Sequence, residues 1–114
     1  MILNMRKPCA AALMVFLGGC LPIEKPPPIA EDMELSIANE EWPPRLAHRF
    51  PPGTPEAELV TTLRSQGFII DRSKKTAKAE WANGVCNNEL DVGWQTNDLG
   101  HVVSVGGRYF PVCP

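Results

Sequence analysis

The sequence predicts an α+β fold: one short helix, with a candidate second, packed on a small antiparallel sheet of three strands and stapled by one disulfide. Three observations carry this expectation. A capped amphipathic stretch runs from Gly53 to Phe68, alternating apolar and polar residues recur three times after it, and Cys86 and Cys113 bracket the last of those runs. With a leader and a tether set aside, only about 70 residues are left to build a core, a size at which a covalent staple is usual.

Residues 1–19 carry a targeting signature. Arg6 and Lys7 form a basic start and Ala10 to Leu17 an apolar run, with Met5 as good an initiator as Met1. As a helix, Pro8 to Gly19 rises roughly 18 Å against a hydrocarbon core of about 30 Å, too little to span it. Its end, Leu17-Gly18-Gly19-Cys20, resembles the lipobox of bacterial lipoproteins. The resemblance implies cleavage between Gly19 and Cys20 and a covalent lipid on Cys20: a diacylglyceryl thioether, with an N-acyl chain. That lipid is the membrane anchor, and no other cofactor is expected. Leu21 stands where an aspartate would favour the inner membrane, which by the same resemblance implies the outer membrane, with the protein part facing the periplasm.

Residues 20–45 read as a lipidated, proline-rich tether. Leu21 to Pro28 resists both helix and sheet, because proline lacks an amide donor and fixes φ. Extended at about 3.1 Å per residue, it holds the domain roughly 25 Å off the lipid. Ile29, Met33 and Ile37 recur every fourth residue behind Glu31, Asp32 and Glu34, a pattern that fits a short helix and also a disordered acidic continuation. Trp42-Pro43-Pro44 and Pro51-Pro52-Gly53 then punctuate the chain.

Residues 46–114 form the domain. Its helix starts at Pro55, behind Thr54 as N-cap and with Glu56 favouring the dipole; Leu59, Val60 and Leu63 make the apolar stripe. Gly67 fits the left-handed position past the end, which places Phe68 over Leu63 in a Schellman motif. Three strand-like runs come next. Phe68 to Asp71 turns at Ser73-Lys74-Lys75 into Ala77 to Trp81; Leu90, Val92 and Trp94 alternate with Glu89, Asp91, Gly93 and Gln95; and Thr96 to Gly100 turns the chain into His101 to Val105, which continues past a bulge at Gly106-Gly107.

Cys9 leaves with the leader and Cys20 takes lipid, so Cys86 and Cys113 are left to pair. A turn centred near Asp98 brings them within a few positions of facing each other, and a glycine bulge shifts the register the right way. The bridge contributes roughly 3 to 4 kcal/mol in the chain-entropy account. A redox pair or a metal site would need Cys-x-x-Cys or further ligands, and neither is present.

The residues bring no catalytic constellation together, so no enzyme is expected. His48 and His101 sit in no nucleophile or zinc motif, and Glu89 with Asp91, which could serve as paired carboxylates, alternate with Leu90 and Val92 as the wet face of a strand. Removing Arg6 and Lys7 with the leader turns 11 basic against 13 acidic residues into nine against 13, a charge of −4 that argues against nucleic acid as a partner. No metal is expected either. Trp81 and Trp94 fall on apolar faces, whereas Trp42, flanked by prolines, is the candidate exposed contact.

Gly53-Thr54 before Glu58-Leu59-Val60 and Leu63, with a strand meander after them and a lipobox and proline-rich tether before, resembles the small lipoproteins of the SmpA/OmlA (BamE-like) type. The resemblance covers Gly53 to about Phe110 and implies a short helix packed on a three-stranded sheet. The Gly-x-Pro after the helix in that group is Gln66-Gly67-Phe68 here, and no functional residue is carried over. The expectation is a lipid-anchored envelope protein with a structural or protein-interaction role and an unidentified envelope protein as partner. Two alternatives stand beside it: an inhibitor of a periplasmic lysozyme or protease that uses a wedge such as Asn83 to Asn88, and a peptidoglycan-binding module that uses Trp42.

Overall fold

The computed structural model describes residues 25–113, so the leader, Gly19, Cys20 and Leu21 lie outside the described residues. Two 3-10 turns, Pro28–Ala30 and Leu35–Ile37, lead into helix α1, Ala38–Arg49, and helix α2, Glu56–Ser65. Strands β1, Ile69–Asp71, β2, Thr76–Asn83, β3, Cys86–Thr96, and β4, Val102–Val112, then pair as an antiparallel meander in the order β1-β2-β3-β4. The fold is α+β, as expected, but the sheet has four strands. The reason is the turn at Asp71, whose carboxylate accepts from the Ser73 hydroxyl at 2.7 Å and the Lys74 amide at 3.2 Å, dividing β1 from β2.

Helix α1 is the largest departure from the sequence expectation, because it runs straight through Pro43 and Pro44. Each proline removes one intrahelical donor and costs about 3 kcal/mol in a helix interior. The offset is a stripe at four-residue spacing, Ala38, Trp42, Leu46 and Phe50, all fully buried, with each large side chain contributing roughly 2 to 3 kcal/mol. Trp42 stacks on Phe68 with ring centroids 6.4 Å apart, and its Nε1–H donates to the Asp91 carbonyl at 2.9 Å. The exposed contact expected at Trp42 is thereby corrected: it is a core residue that ties α1 to the centre of the sheet.

Nor is 26–45 a free tether. Pro27, Ala30 and Met33 are buried in the same core, the Ile29 amide donates to Gln66 Oε1 at 2.7 Å, and Arg45 donates to the Ile29 carbonyl at 3.1 Å while pairing with Asp32. The four-residue repeat Ile29, Met33, Ile37 forms no continuous helix, only the two 3-10 turns, and Ile37 faces outward. The folded body therefore begins by Pro26 rather than near residue 46.

Helix α2 lies where the sequence placed it, with a different start. The Thr54 hydroxyl donates to the Pro51 carbonyl at 2.6 Å instead of capping, and Pro55 is the N-cap. Its end is the expected Schellman motif: Gly67 at φ 95°, the Phe68 amide on the Leu63 carbonyl and the Gly67 amide on the Arg64 carbonyl, both at 3.1 Å. Glu56 in the first turn accepts from Trp94 Nε1 at 2.8 Å, Lys75 Nζ at 2.8 Å and Arg72 at 3.1 Å, pinning α2 to β3 and to the β1–β2 turn.

Both helices cover one face of the sheet, presented by Ala77, Ala79, Trp81, Leu90, Val92, Trp94 and Tyr109, all buried. Gly107 marks the closest approach of α1: a Cβ there would lie 2.4 Å from the Asp91 carbonyl oxygen, 2.5 Å from Trp42 Nε1 and 2.7 Å from Leu46 Cδ1. The Asn39 amide lies along β4, donating to the Tyr109 carbonyl at 3.0 Å and accepting from the Tyr109 amide at 2.9 Å, as a neighbouring strand would.

The expected bulge at Gly106-Gly107 is absent. Val92 pairs with Gly107 and Gly93 with Gly106 in plain register, and the irregularity lies beside the turn, between Gln95 and Thr96. That shift brings Asn87 opposite Val112 and joins Cys86 to Cys113 in the expected disulfide, with Cα atoms 4.2 Å apart. The bridge closes the open end of the β3–β4 hairpin.

Candidate functional site

Among the described residues no helix covers the sheet's second face, and the alternation that buries one set of residues lifts the other set onto it. Pairing aligns three rows across the strands: Ile69, Lys78, Asp91 and Arg108; Glu80, Glu89 and Phe110; Thr76, Gly93 and Gly106. The first and third rows, together with Glu89, Asp71 and Lys74, line an open hollow of about 680 Å³, and Glu80 and Phe110 lie outside it.

Gly93 and Gly106 face each other at its floor. Neither has a positive φ, and a Cβ at either would meet no atom nearer than 4.0 Å, so packing does not demand glycine at these two positions. The result is a stretch of bare backbone between charged walls. Glycine in a strand interior weakens it, and commonly marks a place where another backbone or a ligand comes close.

Glu89 and Asp91 are brought together as the sequence alternation implies. Hydrogen bonding of the protonated Glu89 carboxyl to the Asp91 carboxylate and partial desolvation push Glu89 above the usual carboxylate range, with Glu80 directly opposite adding like charge. Lys78 is 3.8 Å from Glu80, and the Arg108 guanidinium lies 4.8 Å over the Phe110 ring. Among the described residues Arg108 and Lys74 make no ion pair. Two neighbouring carboxyls beside two cations supply hydrogen-bonding and charged groups for a polar backbone. No nucleophile–base pair accompanies it: His48 is exposed on the last turn of α1, and His101 lies in the hairpin turn opposite Pro55.

Sequence reasoning missed Lys78, Arg108 and the glycine pair as members of this surface. The signal was present in the alternation Ser104, Gly106, Arg108, Phe110. An extra residue at 106–107 would have inverted the facing of everything beyond it, and so hid that signal. Trp42, Trp81 and Trp94 are all buried and form no aromatic platform. The turn Asn83 to Cys86 is a tight hairpin with Gly84 at φ 66° and Val85 exposed at its tip.

No protein-family model, no curated protein and no solved structure matches this chain. Among the described residues no group of His, Cys, Asp and Glu is placed to hold a metal ion, and no helix is long and apolar enough to cross a membrane.

Proposed function

We propose that this chain is a lipid-anchored envelope protein that acts by binding another envelope protein through the open face of its sheet. The leader is cut between Gly19 and Cys20, Cys20 carries the acyl chains, and the domain faces the periplasm at the outer membrane. The observation that carries the interaction role is the one-sided sheet, whose second face, uncovered among the described residues, pairs a bare glycine floor with Arg108 and Lys74, which make no ion pair among those residues. A partner backbone laid across that floor would reach both cations and the Glu89–Asp91 carboxyls, a non-catalytic use of the face. The chain is accordingly read as a binding component and not as an enzyme.

Globomycin-sensitive palmitate labelling of the wild type, absent from Cys20→Ala, tests the anchor. A photo-crosslinking residue at Gly106 or Arg108 of the membrane-bound chain tests the face: one dominant protein adduct, lost in Arg108→Glu, is the expected result. Labelling without any adduct from this face would refute the interaction reading. The inhibitor reading keeps one observation in its favour, the exposed Val85 on a disulfide-braced turn. The peptidoglycan reading loses its basis with the burial of Trp42.

A further inference from the structure

We propose that the disulfide-closed end of the sheet, the Asn83–Cys86 turn with Pro111 to Cys113, rests on the bilayer surface to which Cys20 is anchored. The inference depends on the lipidation reading above. What it adds is an orientation and a second contact with lipid, both set by how little chain separates the anchor from the fold.

Pro26, Pro27 and Pro28 share the lining of one hollow with Gln66, Gly67, Ala79 and Glu80, and Ile29 is held by Gln66 and Arg45. Six residues lead from Cys20 to Pro26, a reach of at most about 20 Å when fully extended. The point of attachment is therefore beside Glu80 on β2, not at a random place on the surface. From Glu80 the strand runs three residues to the turn at Asn83, about 10 Å. In the other direction Glu89, the partner of Glu80, is seven residues from Thr96, about 23 Å, with the Asn97–Gly100 turn beyond. Helix α2 runs the same way, from Gly67 beside the prolines to Glu56, whose amide donates to the Gly100 carbonyl. A lipid surface within reach of Cys20 thus meets the disulfide end, and the Leu99 turn points away from it.

The chemistry of that end fits a lipid surface. Trp81 to Asn88 and Tyr109 to Cys113 contain no charged residue, whereas the rest of the open face carries Asp71, Lys74, Lys78, Glu80, Glu89, Asp91 and Arg108. Val85 is 79 % exposed and Val112 59 %, and Ile37, 39 % exposed, borders the same end beside Pro111. Val85 and Val112, on the uncharged segments, can enter the headgroup layer without carrying a charge into it, and Ile37 borders them beside Glu40. In this orientation the strands rise from the membrane, and the hollow at Gly93 and Gly106 stands clear of it, open to a partner.

The test is NMR of the full-length, processed lipoprotein in nanodiscs of phosphatidylethanolamine with a minority of phosphatidylglycerol, doped with a headgroup spin-labelled lipid. The expected result is a several-fold loss of amide intensity at Gly84, Val85 and Val112, with Leu99 and Gly100 unaffected, and recovery of the Gly84 amide and the amide at position 85 in Val85→Asp/Val112→Asp. Uniform loss, or greater loss at 97–101 or at Ile69, overturns the orientation. The mass of the N-terminal peptide from the same sample separates the two readings. Acylated Cys20 with undiminished signals at 84–85 sinks only the bilayer contact and returns the Val85 turn to a protein cleft. Unacylated Cys20 sinks both.

Discussion

Glu56→Gln isolates the electrostatic pin that joins helix to sheet. The Glu56 side chain is only 12 % exposed and its pKa falls from 4.5 to about 2, chiefly because Lys75 donates to it, then because Trp94 and Arg72 do. A drop of that size corresponds to roughly 3 kcal/mol at about 1.4 kcal/mol per pH unit, and the exposure of Lys75 and Arg72 trims it to roughly 2 to 3. Glutamine keeps the shape and an acceptor for the Trp94 indole N–H but gives up the charge that gathers the two cations. The sign comes from linkage: a carboxylate depressed in the folded state stabilises fully above its unfolded pKa of 4.5, and that stability drains away as pH falls towards 2. Urea unfolding followed by tryptophan fluorescence should therefore place the variant roughly 2 to 3 kcal/mol below wild type at neutral pH, with the gap closing as pH falls towards 2. A gap of equal size at neutral pH and at the acid end would refute the reasoning, since it would mean that Glu56 acts by packing alone.

Gly107→Ala places a methyl within 2.4 Å of the Asp91 carbonyl oxygen, so it should lower stability by about 3 kcal/mol or more, whereas Gly106→Ala, with open space above it, should be neutral or stabilising by about 0.5 kcal/mol. Paired urea midpoints check both, and a tolerant Gly107 would contradict the close approach of α1. Replacing Cys86 and Cys113 by serine should lower the unfolding free energy by roughly 3 to 4 kcal/mol, seen as a drop in Tm that reducing agent reproduces in the wild type. Glu89→Gln should stabilise the domain at neutral pH and leave it unchanged below the ordinary carboxylate range. A pKa raised in the folded state withdraws stability as pH climbs through it, so equal effects at both pH values would rule out the raised Glu89 pKa.

Where sequence and structure agree, the information was local. The Gly67-Phe68 cap, the stripe Leu59, Val60, Leu63 and the alternation of Leu90, Val92 and Trp94 are each written within a dozen residues, and the structure shows them all. Helix α1 was not legible for a physical reason: two prolines oppose it locally, and the stripe that sustains it finds its partners in Phe68, Asp91 and Gly107, far along the chain. Register failed in the same way. The sequence shows two glycines and invites a bulge there, yet Gly107 is small because α1 descends on it, and the irregularity sits where the Asn97 side chain organises the turn, accepting from the Leu99 and His101 amides at 3.0 Å.

The proline segment shows how one local conformation serves two architectures. Prolines from 26 to 28 suit an extended, unpaired chain whether it stands free or lies along a surface, so composition alone speaks for a spacer. Three groups decide otherwise: Gln66, just past the end of α2, receives the Ile29 amide, Arg45 on α1 holds the Ile29 carbonyl, and Asp32 holds Arg45 in turn. Both helices thus grip the segment that leads to Cys20. If Cys20 is lipidated as proposed, the free chain ends at Pro26 and not near residue 45, so at most about 20 Å would separate the fold from its membrane. An open sheet face on a seated domain is presented at a fixed height and in a fixed direction. On that proposal, the ordering cost of aligning it with a membrane-bound partner would be largely met before the two proteins meet, which would raise the effective concentration of the face without any added contact.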